Sequence, residues 1–313
     1  MSVTTDLLRF EGVAKRYGAV QALAGIDLAV RRAEVVGLVG ESGCGKSTLG
    51  KAAVQLLPLD AGRVTLDGQD LAAPLPRQDR LARRARIQMV FQDPMASLNP
   101  RATVGRTLEQ PLAVHGRGTA AERREAVAAM LARVGLRPDM AQRYPDHFSG
   151  GQRQRIGIAR ALMLRPDLVI CDEAVSALDV SVRAQVLNLL MDLRAEMGAA
   201  YLFISHDLSV VRHIADRVAV MYLGRIVETG TRDELWREPL HPYTRALIAA
   251  VPSSVPGTAR RPPALAGDPP DAANPPTGCA FHPRCPYATA RCREEAPVLR
   301  PMATERTVAC HQA

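Results

Sequence analysis

The sequence predicts an α/β fold, a mostly parallel sheet with helices on both faces, on three observations. Short apolar runs stand at 34–39, 168–171 and 201–205, as expected of strands covered on both sides. Helical patterns fall between them, and strands alternating with helices build a parallel sheet. The chain of 313 residues, 47% apolar and 23% charged, has ordinary globular composition with room for one large domain and an appendage.

Residues 7–17 and 21–30 alternate apolar and polar, the period of half-buried antiparallel strands. The run 34–39 ends in a glycine loop and a helix follows. Further strands are expected at 63–67 and 87–91. From 103 to about 142 the pattern turns helical, with Ala, Val, Met and Leu recurring at three-to-four spacing over 120–134. A helix opens at Ser149 and runs to about Leu164, and 181–197 is an amphipathic helix. Residues 217–228 read as a hairpin turning near Leu223-Gly224. Eight prolines crowd 252–278, a composition unable to bury a core of its own. The expected organisation is therefore a domain over 1–251 with a helical subdomain at about 95–165, a Pro-rich linker over 252–278, and a Cys-containing extension over 279–313. There is no internal repeat.

The formal net charge is +8, yet Lys15, Lys46 and Lys51 are the only lysines. The densest basic run, Arg77, Arg80, Arg83, Arg84 and Arg86, reads as a solvated helix face, and charge of this kind does not by itself call for nucleic acid. A basic surface also suits an anionic membrane face. No stretch nears the roughly 20 apolar residues of a spanning helix, and residues 1–9 lack a secretory pattern. The chain is expected in the cytosol, with membrane attachment through a partner.

Residues 40–48 read Gly-Glu-Ser-Gly-Cys-Gly-Lys-Ser-Thr, a phosphate-binding loop between strand and helix. Gly40, Ser42, Gly43, Cys44, Gly45 and Thr48 belong to a curl whose backbone N–H groups face phosphate, aided by the helix dipole. Lys46 brings a positive charge to the β- and γ-phosphates, and Ser47 a hydroxyl to Mg²⁺. Asp172, at the carboxyl end of a buried strand, is placed to hold Mg²⁺, and Glu173 beside it to act as general base on the attacking water. ATP with Mg²⁺ is the expected ligand.

These residues, together with Tyr17, Gln92, Ser149-Gly150-Gly151-Gln152, Ser176-Ala177-Leu178-Asp179 and His206, make the chain resemble the nucleotide-binding subunit of an ABC transporter over residues 7 to 250. Seven motifs stand in the family's order; Ala174-Val175 departs from its common Pro-Thr. The resemblance implies a P-loop NTPase domain of the ABC kind, with an antiparallel β subdomain, a helical signature subdomain and a small Cys-containing extension. It implies that Tyr17 stacks on adenine, Gln92 reaches Mg²⁺ and water, and His206 contacts the γ-phosphate. It also implies that Ser149, Gly150, Gly151 and Gln152 meet the nucleotide of a second ATPase subunit in a head-to-tail dimer, with Asp179 at the interface.

Residues 91–100, Phe-Gln-Asp-Pro-Met-Ala-Ser-Leu-Asn-Pro, and 241–247, His-Pro-Tyr-Thr-Arg-Ala-Leu, are similar to oligopeptide and dipeptide importer ATPases, and residues 176–181 with 203–208 look closer to the second ATPase of a heterodimeric pair. Implied partners are a related ATPase chain, two transmembrane permeases and an extracytoplasmic solute-binding protein. The implied place is the cytoplasmic face of the inner membrane, as a peripheral subunit. Nickel chelate or glutathione are alternative solutes. A soluble ATPase acting on nucleic acid or ribosomes is the competing class, but it usually carries two cassettes or a coiled-coil insertion, and this chain has neither.

Cys279, Cys285, Cys292 and Cys310, with His282 and His311 nearby, lack the tight C-x2-C pairs of zinc ribbons, and a disulfide framework does not suit the cytosol. An iron–sulfur cluster, zinc or free thiols remain open from spacing. Peptide-importer ATPases with this tail resemble [4Fe–4S] binders. Cys44 and Cys171 read as packing residues.

Overall fold

The computed structural model describes residues 6–251, 267–303 and 305–313. The linker expected over 252–278 thus lies outside the described residues up to 266. In chain order the strands are β1 (Asp6–Tyr17), β2 (Val20–Arg31), β3 (Val35–Val39), β4 (Ala61–Leu66), β5 (Gln69–Asp70), β6 (Ile87–Val90), β7 (Leu168–Asp172), β8 (Ala200–Ser205), β9 (Arg217–Tyr222), β10 (Arg225–Thr231), β11 (Arg300–Ala303) and β12 (Arg306–Val308). The chain divides into two compact units, Met1–Ala72 with Phe203–Ala313, and Ala73–Leu202.

In the first unit, β1 and β2 carry the expected apolar and polar mixture and bury Leu8, Phe10, Val13, Leu23, Ile26 and Val30. They form an antiparallel sheet in the order β2-β1-β4-β5. Register shifts interrupt the β1–β2 ladder, as bulges do where strands bend. The buried β3 pairs parallel with β9, Val36 opposite Arg217 and Val39 opposite Val220. β9 and β10 form the expected hairpin. Leu223 at φ +40° and Gly224 at φ +75° supply the paired left-handed residues that a tight two-residue turn needs.

The tail beyond the linker joins this unit. β12 pairs antiparallel with β10, Glu228 opposite Val308, and β11 pairs with β12. Phe281 packs between Tyr222, Tyr243 and His241, with ring centroids 5.3, 5.4 and 5.6 Å away. The Cys-containing segment thus shares the unit's own core. Glu228, fully buried at 0% exposure, anchors the approach by accepting hydrogen bonds from the N–H groups of Leu240 and His241 and from the Arg306 guanidinium.

In the second unit, β6 and β7 pair parallel, Ile87 opposite Leu168 and Val90 opposite Cys171. The helix Gly150–Leu162 packs on β6, and the helices Val104–Val114, Ala120–Arg133 and Val180–Met197 pack on that helix. Side-chain capping marks where three of these helices start. The Thr103 hydroxyl accepts from the Arg106 N–H, and Thr119 with Glu122 and Ser149 with Gln152 close reciprocal boxes. Gly198, in the left-handed conformation, ends the last helix. The basic run forms the helix Arg77–Arg86, which is not wholly solvated: Arg83 is buried, and Arg86 pairs with Asp167 at 2.6 Å. An arginine's long stem covers apolar surface while its head finds a carboxylate, which a reading of charge alone misses.

Candidate nucleotide site

The first unit carries the glycine loop. β3 delivers the chain to Gly40, and the helix Lys46–Ala53 leads away. The turn tolerates only glycine at its tightest points. A Cβ on Gly40 would stand 2.1 Å from the Met221 carbonyl oxygen, and one on Gly45, at φ +108°, 2.1 Å from that of Ala22. Lys46 is 4% exposed, and its ammonium donates to the carbonyl oxygens of Gly40 and Glu41, each at 2.8 Å. Ser42 and Gly43 are exposed at the crest, Ser47 and Thr48 half-buried on the first turn. Cys44 is buried, which pushes its thiol up from the ordinary range and keeps it a packing group.

Tyr17 ends β1 with half its surface exposed, and the Lys15 ammonium lies 5.7 Å from its ring centroid. His206 follows β8 directly and is exposed. Behind it, the Asp207 carboxylate caps the helix Leu208–Ile214 by accepting from the Ser209 N–H at 2.9 Å.

The second unit holds the acidic pair. Asp172 is buried at the end of β7, and Glu173 takes a left-handed backbone, φ +46°. The Gln92 amide donates to Glu173 Oε2 at 3.0 Å, so two residues 81 positions apart in sequence stand side by side. Ser176 donates its hydroxyl to the Glu173 carbonyl at 3.0 Å, closing the turn beneath the carboxylate. Ala174 and Val175 are buried, so their departure from Pro-Thr falls in packing. Burial pushes the Cys171 thiol up to about 12, consistent with an inert packing group.

Ser149 accepts from the Gln152 N–H while the Gln152 side chain accepts from Ser149 N–H, so each stabilises the opening of the helix Gly150–Leu162. Gly150 is open to solvent, whereas a Cβ on Gly151 would meet Val182 at 2.5 Å. Asp179 is exposed at the start of Val180–Met197 and makes no side-chain cap there, an acid not spent on its own helix.

A buried ammonium held by loop carbonyls suits phosphate oxygens, and a buried carboxylate at a strand end suits Mg²⁺. The cysteine tail is different. Burial raises the Cys279 and Cys285 thiols, and the charge of neighbouring cysteines adds to the rise. Among the described residues, however, no group of three or more His, Cys, Asp or Glu is placed to hold a metal ion. Sequence reasoning also missed Glu41, Tyr243 and Arg284, which converge on the glycine loop. The Glu41 carboxylate takes the Arg284 guanidinium at 2.7 and 3.0 Å, and its N–H donates to Tyr243 Oη at 2.8 Å. No short-range motif links partners 243 positions apart.

An α/β fold with a glycine loop clasping its own lysine and an acid pair at a strand end defines a nucleotide-hydrolysing domain. Residues 23–176 match the family described as ABC transporter, and 227–292 that described as Oligopeptide/dipeptide transporter, C-terminal region. The chain is 52% identical to a probable peptide ABC transporter ATP-binding protein of Sinorhizobium fredii, over 97% of this chain and 89% of that one. It is 51% identical to the oligopeptide transport ATP-binding protein AppF of Bacillus subtilis, over 95% and 91%. A dimeric ATP-binding cassette solved in a post-hydrolysis state with ADP and phosphate superposes with a TM-score of 0.65 at 29% identity, covering 72% of this chain and 98% of that one. The chain belongs to the ATP-binding proteins of ABC transporters, in the oligopeptide/dipeptide transporter group, and is an ATPase. No helix among the described residues is long and apolar enough to cross a membrane.

Proposed function

We propose that this chain drives uptake of oligopeptides or dipeptides by hydrolysing ATP on the cytoplasmic face of the inner membrane. One observation carries this reading: about half of all residues, over nearly the whole chain, are shared with ATP-binding proteins of peptide transporters. Two permeases form the path, a solute-binding protein delivers the peptide, and a related ATPase chain completes a head-to-tail pair.

In this pair Gly40, Ser42, Gly43, Cys44, Gly45, Lys46, Ser47 and Thr48 wrap the phosphates. The Lys46 ammonium exchanges the carbonyls of Gly40 and Glu41 for phosphate oxygens, a strengthening swap because the new partners carry charge. Ser47, Asp172 and Gln92 would hold Mg²⁺, which when bound would neutralise charge on the phosphates. Glu173 takes the proton of the attacking water, and its link to Gln92 aims the carboxylate. His206 positions the γ-phosphate and Tyr17 stacks on adenine. Ser149, Gly150, Gly151, Gln152 and Asp179 meet the nucleotide held by the partner, so ATP joins the two chains and hydrolysis releases them.

Purification from native membranes in mild detergent tests the assembly. Two multi-spanning permeases and a second ATPase are expected by mass spectrometry; ribosomes or nucleic acid without a membrane partner would refute the transport reading. An iron–sulfur cluster on Cys279, Cys285, Cys292 and Cys310 is a separate proposal, supported by four cysteines in one short tail and by the Cys279 N–H that donates to the Cys292 carbonyl at 2.8 Å. Iron analysis of chain purified without oxygen tests it, and an iron-free protein removes it.

A further inference from the structure

The glycine loop is gripped from outside by the C-terminal part of the chain. Gly40 and Glu41 supply both carbonyls that hold Lys46, so their placement sets where the ammonium sits. Glu41 is itself held twice. Tyr243, fully buried at the start of the helix Pro242–Ala249, accepts the Glu41 N–H through its hydroxyl at 2.8 Å. Arg284, in the short turn His282–Arg284 of the tail, meets the Glu41 carboxylate with both terminal nitrogens, at 2.7 and 3.0 Å. The Arg284 side chain is only 5% exposed, and it also reaches Tyr222 Oη at 3.5 Å. Two-pronged pairing of this kind fixes direction as well as charge.

The position of Glu41 creates an electrostatic problem. A carboxylate one residue into a phosphate-binding loop repels a polyanion, and the repulsion is strong where water is scarce. Arg284 cancels that charge and pulls the carboxylate towards the tail. We propose that Arg284 and Tyr243 are positioning residues for ATP binding: the C-terminal extension neutralises Glu41 and locks the phosphate loop in its receptive shape. The proposal rests on the reading of residues 40–48 as the ATP site. It gives the tail a task that requires no metal. Loss of the tail's grip then lowers nucleotide affinity at a site more than 200 positions away in sequence.

Equilibrium titration of the full chain with a fluorescent ATP analogue and Mg²⁺ tests this, with thermal melts without nucleotide run in parallel. Arg284→Met is expected to weaken binding about tenfold, the size of losing one charged hydrogen-bonded partner. Adding Glu41→Gln to Arg284→Met is expected to restore affinity to within about threefold of the wild type, because the uncancelled charge is gone. A purely structural role for Arg284 gives no such rescue. Tyr243→Phe, which keeps the ring in its core, is expected to weaken binding about fivefold and serves if Arg284→Met does not fold. Wild-type affinity in Arg284→Met, or a double variant as weak as the single one, would overturn the inference. Lys46→Ala separates the two claims: undiminished binding in that variant would refute the ATP-site reading itself.

Discussion

Glu173 holds a left-handed backbone, φ +46°, that side chains with a Cβ rarely adopt, at a cost of about 1–3 kcal/mol. Such strain persists where the surroundings fix it, and here the Ser176 hydroxyl and the Gln92 amide hold the residue from below and beside. Glu173→Gln preserves shape and removes the carboxylate proposed as the base. Phosphate release should fall by about 100-fold or more, with ATP retained on the protein. Wild-type turnover in that variant would remove Glu173 from the role. His241 offers a test by pH. Burial, aided by the Arg245 charge, lowers its pKa from 6.5 to about 3, so the unfolded chain binds more protons between those values. Its contribution to stability is full above pH 6.5 and is lost as pH falls towards 3, by up to about 1.4 kcal/mol per pH unit. Denaturant melts of His241→Asn should show a flatter acid limb than the wild type, and an equally steep one would deny the buried histidine this part.

Helix starts separate stability from function. Thr119 and Ser149 close the same capping box on different helices, each worth about 1 kcal/mol. Thr119→Ala should lower stability by that amount and leave ATP-dependent pairing of subunits intact. Ser149→Ala should cost as much and weaken pairing as well, as followed by gel filtration with non-hydrolysable ATP. Equal pairing in both would reduce Ser149 to a cap. The elements most legible in the sequence were those whose own pattern specifies them. β1 and β2 mix apolar and polar residues in strand fashion, β3 and the start of β7 are apolar runs, and the Leu223-Gly224 turn announces the hairpin. β11 and β12 were invisible because β11 is exposed at all four positions and β12 has three residues, so their pairing with β10 is decided by tertiary context. The helix Arg232–Arg237 was missed although Thr231 and Glu234 spell a capping box.

Across the whole molecule, the site was legible where chemistry sits in contiguous motifs and hidden where distant segments meet. Gly40 to Thr48 and Asp172-Glu173 declare themselves, whereas Arg284 on Glu41 depends on a fold that returns the chain's end to its beginning. The same return makes the tail part of the core. Phe281→Ala would leave a hole among Tyr222, Tyr243 and His241 and should cost about 3 kcal/mol or more, measured by denaturant titration. Unchanged stability would mean that the tail only drapes over the unit. The most direct measurement of the central claim is peptide uptake into vesicles reconstituted with this chain and the proposed partner ATPase and permeases. Accumulation of a labelled short peptide should require ATP and the binding protein, and vanish with Lys46→Ala. ATP hydrolysis that proceeds in the complete assembly while no peptide accumulates would contradict the account.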